Sequence, residues 1–207
     1  MTRISLAALL CLSTLSLTPA CAEENPEGPP PVARGLLLQH ADRLIFSPCR
    51  ERSYVSVVDE SPNQAVTTTL QKLGLNAQTP VYVELLGQAE SGSLRVTGLN
   101  LARLDARCYA RQETRGPWQA AGQDPHWRLR TDGHELTLEL AGNEPLSSKF
   151  TEELTTPQVS QLKTTNTPAL SGEIKAQTCT TTSGEVTGWT IKARYRGTEL
   201  NGCAWRP

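Results

Sequence analysis

Residues 126–140, HWRLRTDGHELTLEL, constrain the fold more than any other stretch. Apolar and polar residues alternate on either side of Asp132-Gly133, a dipeptide favoured in two-residue hairpin turns. A hairpin centred there is expected to pair Thr131 with His134, Arg130 with Glu135, Leu129 with Leu136 and Trp127 with Leu138. Trp127, Leu129, Leu136 and Leu138 then share a core face. The other face carries His126, Arg128, Arg130, Glu135 and Glu139, where opposite charges fix register but contribute only about 0.2 to 1 kcal/mol per exposed pair. His126 and His134 fall on opposite faces, which disfavours a two-histidine metal site.

Residues 188–205 repeat the pattern around Arg196-Gly197. The expected partners are Tyr195 with Thr198, Arg194 with Glu199, Ala193 with Leu200, Lys192 with Asn201, Ile191 with Gly202 and Trp189 with Ala204. Cys203 falls opposite Thr190 on the outer face, and a bulge at Gly202 is an open alternative. Threonine-rich segments 150–156 and 174–182 add strands. Residues 113–207 are therefore expected to form an antiparallel β-meander, closed or nearly closed into a barrel.

Residues 34–112 read differently. Three short apolar runs, at 35–40, 44–46 and 54–58, precede Ser61-Pro62-Asn63-Gln64, which has the form of a capping box with proline at the first helical position. Val66, Leu70 and Leu73 give the helix one inward stripe, and Gly74 ends it. Thr67, Thr68 and Thr69 lower its propensity, so it is expected to be short and held by packing. Val81, Val83 and Leu85 then alternate with Tyr82 and Glu84, which puts Tyr82 on the wetter face. The parity of apolar residues changes around Gly98, where a bulge is expected. Three strands, a helix and two strands is the element order of the oligonucleotide/oligosaccharide-binding (OB) barrel. The fold class is thus all-β dominated: two small antiparallel β domains, the first an OB-like barrel with one short helix, the second a β-meander barrel.

Residues 1–20 contain Arg3 and an apolar run too short to cross a hydrocarbon layer of about 30 Å, the pattern of a removed export signal. Residues 21–33 form a proline-rich tether, with Cys21 at the processing site. Thr18-Pro19-Ala20-Cys21 resembles the bacterial lipobox, which implies lipidation of Cys21; Ala20-Cys21-Ala22 also fits ordinary cleavage after Ala22, which would leave a soluble periplasmic protein. Cys49, Cys108, Cys179 and Cys203 remain, an even set that reads as disulfides in an oxidising compartment. Three pairings are possible; Cys49 with Cys108 and Cys179 with Cys203 is preferred because each closes a loop within one half. There is no C-x-x-C, and His40, His126 and His134 lie near none of these cysteines, so neither metal nor cofactor is expected.

The first half, through Phe46-Ser47-Pro48-Cys49, Tyr54-Val55-Ser56-Val57-Val58 and residues 80–87, resembles the OB-like domain of copper-stress and adhesion-sensing outer-membrane lipoproteins, without the sensor's C-x-x-C. The second half resembles an uncharacterised family of bacterial envelope lipoproteins, marked by a Gly-Asn-Glu-Pro-Phe-Trp segment and a terminal cysteine strand ending Gly-Cys-Ala. Here Gly122, Pro125 and Trp127 take the first place, with Gln123, Asp124 and His126 departing from the usual residues. Cys179 lies on the cysteine strand, and Gly202, Cys203 and Ala204 take the terminal place. Gly142-Asn143-Glu144-Pro145 repeats some of the letters and reads as a turn.

The chain has a formal net charge of −1 and 5% aromatic residues, which argues against nucleic acid as a partner. No H-E-x-x-H, G-x-S-x-G, S-x-x-K or P-loop is present. Asp124 beside His126 reads as a turn rather than an acid–base pair. The expectation is a non-enzymatic lipoprotein of the outer membrane, facing the periplasm and anchored through Cys21, whose contact surface for an envelope protein or glycan lies around Tyr82 and Glu84. Two alternatives stand beside it. One is an inhibitor of a wall-degrading enzyme such as lysozyme, presenting residues 155–168 as a protruding loop. The other is a glycan-cleaving enzyme using a carboxylate pair.

Overall fold

The computed structural model describes residues 31–108 and 116–207. Residues 1–30, with the export signal, Cys21 and most of the tether, lie outside the described residues.

The first half contributes β1 (Val32–His40), β2 (Arg43–Pro48), β3 (Val55–Asp59), α1 (Ala65–Leu73), β4 (Val81–Glu90) and β5 (Ser93–Arg103). These strands close in the order β1-β2-β3-β5-β4-β1, with β3 and β5 parallel and every other pair antiparallel. That connectivity, with a helix between the third and fourth strands, is the OB topology expected from the element order. Val81, Val83 and Leu85 fill the barrel with Leu37, Phe46, Leu94 and Val96, and Val66 and Leu70 of α1 pack into the same cluster. Val32 and Ala33, expected at the end of the tether, instead pair with Leu86 and Leu85, because this strand runs on to cover the edge of β4. Two irregularities flank Gly98: Leu85 pairs with Leu99 while Glu84 pairs with Leu101, and Gly87 pairs with Val96 while Leu86 pairs with Gly98. The extra residues, Asn100 and Thr97, account for the parity change seen in the sequence.

The expected capping box does not form. Asn63 and Gln64 adopt left-handed backbone angles within a 3-10 turn over Pro62–Gln64, and the α-helix starts only at Ala65. Its free N–H groups are satisfied from outside: Val66 N–H donates to Ser61 Oγ at 3.1 Å and Thr67 N–H to Asp59 Oδ2 at 2.8 Å. Asp59 also accepts from the Thr67 hydroxyl at 2.7 Å and from Ser61 N–H at 2.9 Å, so an acid at the end of β3 does the work assigned to Gln64.

The second half supplies β6 (Gln119–Gln123), β7 (His126–Thr131), β8 (Glu135–Leu140), β9 (Leu146–Thr156), β10 (Val159–Thr164), β11 (Ser171–Thr180), β12 (Val186–Tyr195) and β13 (Thr198–Trp205). Each strand of the run β6 to β13 pairs antiparallel with the next, and β13 pairs back to β6, which closes an eight-stranded barrel. Trp118, Trp127, Leu129, Leu136, Leu138, Leu162, Leu170 and Ile174 are buried inside it. The β12–β13 register is that expected around Arg196-Gly197, pair for pair.

The β7–β8 register differs from expectation by two residues: Leu129 pairs with Leu138, Trp127 with Leu140 and Thr131 with Leu136. Asp132 causes this, because its carboxylate accepts from both His134 N–H at 3.0 Å and Glu135 N–H at 2.7 Å, holding a four-residue loop instead of a two-residue turn. A shift of two preserves the faces, so the core residues are unchanged. Arg130 consequently lies opposite Thr137 rather than Glu135, and Arg128 rather than His126 faces Glu139. Segment 155–168 is not a protruding loop: it contains the whole of β10, paired on both sides.

Both disulfides have the preferred connectivity, Cys49–Cys108 and Cys179–Cys203. The irregularity that accommodates the second lies in β11 between Ala176 and Cys179, and no register shift occurs at Gly202. Cys203 is buried rather than exposed, since other parts of the chain cover that face.

The two barrels are joined edge to edge. Val186 and Thr187, at the start of β12, pair with Ala102 and Leu101 at the end of β5. Gly188 makes this approach possible: a Cβ there would stand 1.7 Å from the carbonyl oxygen of Leu99.

Candidate functional site

Where the barrels meet, the outer face of the OB barrel turns toward the outer face of the meander barrel, leaving a cleft of about 590 Å³. That is within the range of about 300 to 1,000 Å³ typical of small-molecule sites. One wall comes from β1, β4 and β5, where Arg34 lies opposite Glu84, Glu84 opposite Leu101 and Tyr82 opposite Arg103. The facing wall comes from β6, β7 and β13, where Gln119 sits between Arg130 and Trp205 in one row, and Ala121 between Arg128 and Cys203 in the next. The turn from Thr181 to Glu185 closes one side, following the end of β11, which carries Cys179 as its penultimate residue.

Tyr82 and Glu84 were expected on a wet surface. Tyr82 is 2% exposed instead, because the second barrel covers this face of β4. Its hydroxyl donates to Glu84 Oε1 at 2.9 Å, and burial together with the Glu84 charge pushes the phenol pKa well up. Glu84 also accepts from Asn100 Nδ2 at 2.6 Å and faces Arg34 Nε at 3.5 Å. Glu185 pairs with Arg103 at 2.6 Å. Both cleft glutamates are therefore engaged by groups of the protein itself.

The arginine side chains are more numerous. Arg34, Arg103, Arg128, Arg130 and Arg206 line the cleft against Glu84 and Glu185. Arg206 is held by stacking: its guanidinium carbon lies 4.3 Å from the Trp118 ring centroid and 5.6 Å from that of Trp189. Burial lowers its pKa, opposed by the charge of Glu152, which accepts from Trp118 Nε1 at 2.9 Å. Arg128 and Arg130 are exposed, and no ion pair engages either among the described residues.

The remaining sequence candidates divide. Gly122, Trp127 and Gly202 come together: Trp127 is fully buried, and a Cβ on Gly122 or Gly202 would meet its ring at 2.3 or 2.9 Å. Pro125 forms the tight turn between β6 and β7 with Asp124, and Ala204 is buried in the same barrel. His126 Nδ1 lies 3.3 Å from Gln123 Oε1 at the cleft rim, and Asp124 is exposed in the turn. His40 ends β1 in solvent, and no group of three potential metal ligands occurs among the described residues. The face of β2 and β3 that OB barrels commonly use carries an exposed Val58, with Tyr54 just before β3 at 71% exposure.

The basic cleft was not legible from the sequence. Its arginines come from strands far apart in the chain, and only the alternation of Arg128 and Arg130 on the wet face of one hairpin pointed to it. Fold and cleft together define an all-β protein of two fused closed barrels, each with its own disulfide. A scan against protein-family models and searches of curated proteins and of solved structures found no match to the chain.

Proposed function

We propose that the protein is an exported, lipid-anchored component of the bacterial cell envelope, facing the periplasm from the outer membrane and acting as a non-enzymatic binding module. The observation that carries this reading is the pairing of all four cysteines beyond the N-terminal segment in two disulfides, one in each barrel. Such bonds persist in an oxidising compartment, and the apolar N-terminal segment ending at Cys21 is the sequence of an exported chain. The resemblance to envelope lipoproteins at Gly122, Trp127 and Gly202 fits this address. The inter-barrel cleft, whose two glutamates are both held by arginines, supports binding rather than proton transfer as its use.

The test is the intact mass of the protein recovered from bacterial membranes, before and after reduction and alkylation. A triacylated chain beginning at Cys21, with four further cysteines alkylated only after reduction, is the expected result. A chain beginning at Glu23 without lipid would replace the anchor with a soluble periplasmic location. Thiols reactive before reduction would overturn export itself.

A further inference from the structure

We propose that the inter-barrel cleft binds an acidic saccharide, with Arg128 and Arg130 holding its anionic group. The inference names a ligand class for the binding module proposed above and rests on that reading for its biological setting, though not for its chemistry. Glu84 is occupied by Tyr82, Asn100 and Arg34, and Glu185 by Arg103, so both acidic side chains of the cleft are already engaged within its walls. Arg128 and Arg130 are left as exposed guanidinium groups on the same face of β7, two residues apart, with Glu139 across the strand as the cross-strand acid of Arg128. Neighbouring planar forks of this kind match carboxylate or phosphate oxygens in paired hydrogen bonds.

The rest of the wall selects what carries the anion. In the row across the sheet, Gln119 lies between Arg130 and Trp205, and the closing turn brings to the cleft the hydroxyls of Thr181 and Ser183, bonded to each other at 2.8 Å. Amide and hydroxyl groups that both donate and accept suit a ligand rich in hydroxyls, and an indole beside them offers a flat apolar surface to a sugar ring. An acidic peptide would use the arginines but has little need of the remaining groups. The walls come from two barrels joined by backbone pairing, so the site is largely formed before the ligand arrives.

The experiment uses the mature chain with both disulfides intact, titrated calorimetrically at low ionic strength. Trigalacturonate and glucose 6-phosphate serve as carboxylated and phosphorylated probes, maltotriose as a neutral sugar, and triglutamate and inorganic phosphate as anions without a sugar. Binding of either acidic sugar is expected, weakened at least about tenfold by Arg128→Gln with Arg130→Gln, and absent for maltotriose. Which acidic sugar binds more tightly identifies the anionic group. Equal affinity for triglutamate or inorganic phosphate would overturn the saccharide assignment, and failure of both acidic sugars would overturn the site. So would binding that survives the double substitution, whose two positions are exposed and leave the core untouched. Because this readout is independent of lipidation and thiol state, the cleft and the envelope address can fail separately.

Discussion

The side chain of Asn100 binds the backbone of Arg206 at both polar groups. Its Oδ1 accepts from Arg206 N–H at 2.7 Å, and its Nδ2 donates to Arg206 C=O at 2.6 Å. The carboxamide thus imitates a strand partner, fastening the segment after β13 to the OB barrel, while Nδ2 also reaches Glu84. Asn100 is fully buried, and it occupies this place because it is the extra residue of a bulge in β5.

Replacing Asn100 with alanine leaves the N–H and C=O of Arg206 without their partner and removes one of the three groups that hold Glu84. The expected loss of stability is about 3 kcal/mol, read from the urea midpoint. Asn100→Asp keeps the acceptor for Arg206 N–H but sets a second carboxylate against Glu84, and it should destabilise at neutral pH at least as much as alanine does.

Asp59 gives a pH signature. Burial pushes its carboxyl pKa up, but hydrogen bonds from the side chains and N–H groups of Ser61 and Thr67 outweigh this and hold it below the ordinary 3.8. Since the folded pKa is depressed, the contribution is present above the unfolded value and disappears as pH falls through the folded one. Asp59→Asn should cost about 1 kcal/mol at pH 7, as the loss of a helix cap does. The gap between variant and parent should shrink below about pH 4 in denaturation curves, as the unfolded-state carboxyl takes up its proton. A gap that is the same at pH 7 and pH 2 would remove the charge from the explanation.

Gly188→Ala should be among the most damaging single substitutions, because its methyl would meet backbone rather than a movable side chain. A loss of about 3 kcal/mol or more in thermal or urea unfolding is expected. If stability is unchanged, β12 and β5 are not paired as described.

Disulfide removal should separate two effects. In the chain-entropy account, closures of 59 and 24 residues each contribute about 3 to 4 kcal/mol, so either double serine variant is expected to melt at lower temperature. Only the Cys179/Cys203 variant should also weaken ligand binding in the cleft, since Cys179 lies two residues before the turn that closes it. Calorimetric titration of both variants below their transitions checks this.

Much of the fold was readable because local pattern and tertiary structure agree in it. Alternation with Arg196-Gly197 specified the β12–β13 register, and Val66 with Leu70 specified the buried stripe of α1. The errors arose where side chains compete with backbone pattern. Asp132 captured two N–H groups and widened a turn, and Asp59, outside the helix, replaced Gln64 as the partner of Ser61 in the expected capping box. Tyr82 failed for another reason: alternation separates the two faces of a strand but says nothing about whether a second barrel covers the outer one. Strands β6 and β10 were missed because Gln119–Gln123 and Val159–Thr164 hold few large apolar residues.

The seam at Val186 and Thr187 has a consequence for dissecting the molecule. Cutting the chain between the barrels would leave the end of β5 and the start of β12 as bare strand edges, an invitation to aggregate. Halves expressed separately should be poorly soluble, and mixing them should restore solubility. Circular permutation offers a safer route, with new termini at an exposed turn tip such as Gly142, far along the chain from the seam, where backbone pairing across it stays whole.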